Sequence, residues 1–149
     1  MPSISAAESI AENFRYFRVK AIIVKADLSK IEEIMLIFQN VTEKIGPVDI
    51  VFNISGVEHP GAIQYVTEQG IDHVFALNVK TQFLVAQQAY KYIAKDGRLI
   101  LMSSISAHNG IPKNVVYVAS KAAAQGMIKC LGYDFGPRKL LSMPLPREL

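Results

Sequence analysis

Tryptophan is absent from this 149-residue chain, and cysteine occurs once, at Cys130. A single cysteine excludes an internal disulfide and any zinc site built on clustered thiolates. Because it falls in an apolar helical stretch, Cys130 is expected to be a buried, inert thiol. Long hydrophobic runs are missing too: nothing approaches the roughly 18 consecutive apolar residues of a membrane span. The opening residues, Met1 to Glu8, have neither a basic start nor an apolar core, so no secretory signal is expected there. Charge of one sign is equally scarce. The formal balance is +3, and the basic residues are scattered, with Arg15, Arg18 and Lys20 the densest group and Arg138 and Lys139 near the end. Nucleic-acid binders cluster such charge with exposed aromatics or a recognised motif. Neither is present, so no nucleic-acid or membrane partner is expected, and a cytoplasmic location follows.

Half of the residues are hydrophobic and 19% are charged, the balance of a compact folded domain rather than of a disordered chain. The length suits one domain. Ser5 to Phe17 has helical composition with Ile10, Phe14 and Phe17 on one face. The β-branched run Ala21-Ile22-Ile23-Val24-Lys25-Ala26 predicts a strand buried on both faces. Ser29, with Glu32 three residues on, predicts a capped helix running to Ile45, with Ile31, Ile34, Met35, Phe38, Val41 and Ile45 inward. Val48 to Ile54 predicts a second buried strand. A long helix is expected from Gly70 to Ala94, a turn at Asp96-Gly97, a strand over Arg98 to Ser103, a loop through His108, Gly110 and Pro112, and a last helix from Val115 to Phe135. The remainder, from Gly136, has no clear period. Strands alternating with helices of this length indicate βαβ units and a parallel sheet. Ligands of open parallel sheets bind at the strand C-termini. Asp27, Ser55-Gly56 and Ser103-Ser104 all fall there.

Tyr117 and Lys121 stand four residues apart at the start of a predicted helix, which puts both on one face. A phenol ordinarily titrates near 10, too high for easy proton exchange at neutral pH; an ammonium one turn away favours the phenolate. Such a phenol can give a proton to a carbonyl oxygen or take one from an alcohol. Alone, YxxxK is a weak signal that a surface helix produces by chance. Ser104, ending a predicted strand 13 residues earlier, adds a hydroxyl able to bond the same oxygen, although the adjacent Ser103 competes for that role. His59, His73 and His108 are not spaced as metal ligands, and no metal is expected; His108 sits in the loop beside Ser104.

Ser104 followed by Tyr117-Val118-Ala119-Ser120-Lys121 resembles the active-site pattern of the short-chain dehydrogenase/reductase family. Asn53-Ile54-Ser55-Gly56 takes the place of that family's NNAG segment and is similar to the NSG variant of fungal polyhydroxynaphthalene and versicolorin-type reductases. The resemblance implies that Asn53, Ser55 and Gly56 shape the sheet edge and approach the cofactor ribose. It also implies that Asn78, in Leu77-Asn78-Val79, helps hold a water in a proton relay through the lysine. An exposed helical amide is the plainer reading of Asn78. Asp27 matches an aspartate facing the adenine ring, against a plain role leading into the helix. Tyr117 and Lys121 would also contact the cofactor, Lys121 bonding the nicotinamide ribose. NADP(H) is favoured and NAD(H) is the other candidate.

The family likeness covers about residues 5 to 137, and residues 138 to 149 diverge. The first glycine is Gly46, so no TGxxxGxG turn exists to receive a pyrophosphate at a helix N-terminus. The expected fold is therefore α/β, a partial Rossmann-like doubly wound parallel sheet lacking the first β-α-β unit and truncated at both ends, with apolar sheet surface exposed. The expected function is hydride transfer between a nicotinamide and a small-molecule ketone or secondary alcohol, with an aromatic or polyketide-derived substrate suggested. The alternative is an inactive family member acting as an oligomerisation partner. A homo-oligomer is expected through helices 70–94 and 115–135.

Overall fold

A computed structural model describes residues 4–136 and 141–145. Three parallel strands form one sheet in the order β1 (Val48–Asn53), β2 (Ile93–Met102) and β3 (Leu141–Leu145). The helices are α1 (Ile4–Tyr16), α2 (Ile31–Lys44), α3 (Glu68–Phe75), α4 (Thr81–Tyr92), α5 (Ser106–Asn109) and α6 (Val115–Phe135). The α3–α4 segment connects β1 to β2, and α6 connects β2 to β3, as parallel pairing requires. The architecture is α/β with a parallel sheet, as the alternation of patterns predicts.

One apolar cluster holds these layers together. Ile34 and Phe38 of α2, Val85 and Ala89 of α4, Leu99 and Leu101 of β2, and Met127, Ile128 and Phe135 of α6 are all buried in it. Three helices therefore cover the same sheet face. Successive strand residues point to opposite faces, and the other face of β1 is open: Ile50, Phe52 and Ile54 are 58%, 50% and 60% exposed. The expectation of a β1 buried on both faces fails for that reason, whereas the expected exposure of apolar sheet surface is met.

Several local expectations are corrected. The run Ala21–Ala26 forms no strand: strand-forming residues need a neighbouring edge, and among the described residues no ladder includes this run. On α1, Ile10, Phe14 and neighbouring Phe17 are exposed, and Ala11 is the residue buried. Ser29 does not cap α2. The N-cap is Lys30 without a side-chain bond, while the Ser29 amide and hydroxyl both donate to Asp27 Oδ1, at 3.0 and 2.7 Å. Met35 and Ile45 face solvent. Cys130 is exposed, since Met127, Ile128 and Leu131 take the inward side of α6. The segment after Gly136, whose sequence has no clear period, contains β3; residues 137–140 and 146–149 lie outside the described residues. His108 lies on the short helix α5 rather than in a loop.

The expected helix over residues 70–94 is instead α3, a π-helical turn at Ala76–Lys80, and α4 ending at Tyr92. Strand β2 begins at once, with Val48 opposite Ile93 and Ile50 opposite Arg98, so the register shifts across Asp96-Gly97. Asp96 adopts a φ of 66°, a left-handed conformation that aspartate accepts more readily than most residues. Gly97 is pressed against its neighbours: an added Cβ would collide with Ile93 Cγ2 and lie 2.7 Å from the Asp49 carbonyl oxygen. Replacing it, Gly97→Ala, is expected to destabilise the chain by about 1–3 kcal/mol through overpacking. Urea denaturation followed by circular dichroism measures this, and an unchanged midpoint contradicts the close approach.

Candidate active site

The C-terminal ends of β1 and β2 lie level, Asn53 opposite Leu101, and the N-terminal turns of α6 pass beside them. Both elements deliver the polar residues there. Asn53 closes β1: its Oδ1 accepts from the Ser55 amide at 3.1 Å and the Ser55 hydroxyl at 2.6 Å. This local turn breaks the strand and aims the chain across the sheet edge. Gly56 then passes close to two functional side chains. A Cβ at Gly56 would stand 3.2 Å from Asn78 Oδ1 and 3.3 Å from Lys121 Nζ.

Asn78 is fully buried in the π-helical turn, the kind of helix irregularity that concentrates at functional sites. Its Oδ1 accepts from the Val57 amide at 2.8 Å, and its Nδ2 donates to the Val57 carbonyl and to Ser120 Oγ, both at 2.9 Å. The reading of Asn78 as an exposed helical amide is therefore overturned. Gln82 supports the same turn from below, donating to the Asn78 carbonyl at 2.8 Å and the Met102 carbonyl at 3.1 Å.

Tyr117 and Lys121 are each 2% exposed. The Lys121 ammonium donates to the Met102 carbonyl at 3.2 Å and lies 5.6 Å from the centre of the Tyr117 ring. The Tyr117 hydroxyl is buried with no hydrogen-bond partner. Buried phenols ordinarily find one, and none is found here among the described residues. Ser103 and Ser104 separate by their partners. Ser103 Oγ donates to the Lys121 carbonyl at 3.3 Å, tying β2 to α6. Ser104 Oγ lies 2.7 Å from Ser106 Oγ and accepts from the Ser106 amide at 3.2 Å.

The structure thus gathers Gly56, Asn78, Tyr117 and Lys121, while Ser104 follows the end of β2 and bonds Ser106. Asp27 stands apart at the start of α2. The Ser29 hydroxyl, then its amide, hold the Asp27 carboxyl below the usual carboxylate range. The Asp27 amide does the same for Glu33, and Glu33 raises Lys30. Its neighbour Leu28 is bound through its carbonyl to the Thr81 hydroxyl at 2.8 Å. Sequence reasoning missed Ser120, Gln82 and Ser106. Gln82 and Ser120 carry a faint signal, polar residues at core-facing helix positions; Ser106 carries none. His108 is exposed with Nε2 3.0 Å from Gln125 Nε2, and among the described residues no group of side chains could hold a metal ion. Nor is any described helix long and apolar enough to cross a membrane.

A nicotinamide cofactor can be tested against these residues. The orphaned Tyr117 hydroxyl, the buried Lys121 ammonium and the Cβ-free space at Gly56 fit its nicotinamide ribose end. No glycine-rich turn in the chain fits its pyrophosphate, since the glycines begin at Gly46.

The sequence model of the short chain dehydrogenase family matches residues 2–142. The hydroxynaphthalene reductase-like protein Arp2 of Metarhizium majus is 37% identical over 135 residues, covering 90% of this chain and 51% of that protein. The trihydroxynaphthalene reductase of Colletotrichum orbiculare is 37% identical over 139 residues, 93% of this chain and 49% of that one. This chain spans about half the length of the curated relatives it matches. Among solved structures, a short-chain dehydrogenase/reductase of Serratia marcescens superposes with a TM-score of 0.91 at 26% identity, over 97% of this chain and 60% of that one. A Burkholderia cenocepacia short chain dehydrogenase in complex with NADP gives 0.88 at 27% identity, over 93% and 57%.

Proposed function

The chain belongs to the short-chain dehydrogenase family, and from that premise we propose that it carries the catalytic groups for hydride exchange between a nicotinamide and a ketone or secondary alcohol. The observation that supports this most is the Tyr117 hydroxyl, buried and without a partner among the described residues, on a ring whose centre lies 5.6 Å from the Lys121 ammonium. When bound, the nicotinamide supplies the hydride or receives it. Ser104 Oγ holds and polarises the substrate oxygen. Tyr117 Oη gives its proton to that oxygen as the carbonyl carbon is reduced, and takes it back in the reverse direction. Lys121 stabilises the phenolate left behind. Ser104 suits the orienting role better than Ser103, whose hydroxyl is committed to the α6 backbone. With its amide clamped on Val57 and Ser120, Asn78 fixes the loop that carries Gly56 past Lys121 and so sets the ammonium's surroundings.

In this reading Asn53, Ser55 and Gly56 receive the cofactor ribose and Asp27 faces its adenine. NADP(H) is favoured over NAD(H), in line with the NADP-bound relative of known structure. The naphthalene reductase relatives point to an aromatic or polyketide-derived ketone. Titration with NADPH and NADH, followed by nicotinamide fluorescence, is the direct test. Saturation at micromolar to millimolar NADPH supports the reading, and no binding at millimolar cofactor overturns catalysis by this chain alone.

A second reading has its own observation. Phe83, Tyr90 and Tyr133 are 49%, 42% and 85% exposed on α4 and α6, and a cleft of about 480 Å³ runs between these helices, lined by Phe83, Tyr90, Leu131 and Phe135 among others. Exposed aromatics of this kind favour a homo-oligomeric contact through the two helices. If the cofactor titration fails, this chain serves as a non-catalytic oligomerisation partner.

A further inference from the structure

Two buried serines meet where the chain turns from β2 into α5. Strand β2 ends at Met102 and α5 begins at Ser106. The Ser104 carbonyl accepts from the Ala107 amide at 3.1 Å, and Ser104 Oγ accepts from the Ser106 amide at 3.2 Å. A serine that bonds the amide two residues on is an ordinary way to close such a turn. The turn does not need the second contact, Ser106 Oγ at 2.7 Å from Ser104 Oγ. Alanine at position 106 would keep the amide and lose only the hydroxyl.

Both residues are sealed from solvent, Ser104 at 1% and Ser106 at 2% exposure. Burying a hydroxyl is unfavourable unless it is bonded, so a residue that only filled space at 106 would do better as alanine. Ser106 is also held from its other side. Its carbonyl accepts from the Gly110 amide at 2.8 Å, and α5 meets α6 through His108 Nε2, 3.0 Å from Gln125 Nε2. Ser106 therefore presents its hydroxyl to Ser104 from a fixed support, which a group that orients another requires.

A serine hydroxyl carries one proton and two lone pairs. The Ser106 amide takes one lone pair of Ser104 Oγ. Across the 2.7 Å contact either oxygen can be the donor, and the choice sets what Ser104 can offer. With Ser106 as donor, Ser104 Oγ accepts twice and its proton is turned away from Ser106, the state that polarises a carbonyl oxygen. With Ser104 as donor, that proton is committed to Ser106 instead. Resting on the reading of Ser104 as the hydroxyl that holds the substrate oxygen, we propose that Ser106 is its positioning residue. The Ser106 hydroxyl donates to Ser104 Oγ and so directs the Ser104 proton to the substrate.

Hydroxyl exchange in the cofactor-free chain tests the pairing, read by NMR from the deuterium isotope shift on serine Cβ. Ser106→Ala should speed exchange of the Ser104 hydroxyl about tenfold, and Ser106→Thr should restore it. The hydroxyls of Ser103 and Ser120, bonded to the carbonyls of Lys121 and Tyr117, should keep their rates. An unchanged Ser104 rate overturns the proposal, as does a rise shared by Ser103 and Ser120, which marks a loosened fold. Turnover of acetophenone with NADPH tests the consequence. Ser106→Ala should lower kcat about tenfold, the worth of one neutral hydrogen bond, with NADPH affinity unchanged and Ser106→Thr restoring kcat. In a Ser104→Ala background, Ser106→Ala should cost nothing further, because coupled residues are not additive. Losses that multiply overturn the role of Ser106 and leave the proposed function standing. A wild type that binds no NADPH overturns that function instead, and the exchange rates then decide the serine pair by themselves.

Discussion

Replacing Tyr117 by phenylalanine is expected to lower kcat by about 10²–10⁴-fold while leaving NADPH affinity nearly unchanged. That range is what a positioned general acid–base group contributes. The Tyr117 hydroxyl makes no hydrogen bond among the described residues, so its removal costs them none. Phenylalanine keeps the buried ring and the 5.6 Å approach of the Lys121 ammonium to it. Any loss of turnover is then assignable to the missing proton donor. Steady-state kinetics beside a fluorescence titration of NADPH separate the two quantities. Retained kcat in Tyr117→Phe defeats the proposed mechanism; equal losses of kcat and cofactor affinity assign the hydroxyl to binding instead.

Asn78→Ala is expected to destabilise the chain by about 3–5 kcal/mol, the largest effect on folding foreseen for a single substitution. Truncation strands the Val57 amide, the Val57 carbonyl and Ser120 Oγ, which now meet the asparagine side chain. Each buried polar group left unsatisfied costs about 1–3 kcal/mol. Ser120 retains its bond to the Tyr117 carbonyl at 2.6 Å, which keeps the sum below three full penalties. The loop of Gly56 would also lose its anchor beside Lys121. Chemical denaturation measures the first effect, and a midpoint shift worth less than about 1 kcal/mol contradicts the buried network. Hydrogen exchange at Val57 reports the second.

How much of this was legible beforehand depends on how local each cause is. Helix α6 was readable to the residue, because Val116, Ser120, Ala124, Met127 and Ile128 keep helical spacing along its buried face. Helix α2 was readable in extent but not in its cap. Ser29 and Glu32 fit a capping box, yet Asp27 sits two residues ahead of Ser29 and competes for its hydroxyl. The break at Ala76–Lys80 left no mark, since nothing local distinguishes a π-helical turn from an α-helical one. It follows from Asn78 being drawn to Val57 and Ser120, residues 21 and 42 positions away.

The sequence by itself determined the α/β class, the parallel order implied by alternating strand and helix patterns, and the identity of the candidate catalytic residues. It could do so because periodicity is a property of neighbouring positions, and because the spacing of Ser104, Tyr117 and Lys121 resembles a known family's pattern. Only the tertiary structure decided that Ser103 is spent on the α6 backbone, that Gly56 lies against Lys121, and that the Tyr117 hydroxyl is buried and unpartnered. The tertiary structure likewise decided that Ala21–Ala26 is no strand. A strand exists only where a second edge completes its hydrogen bonds, and β-branched residues record a preference for that state without supplying the edge.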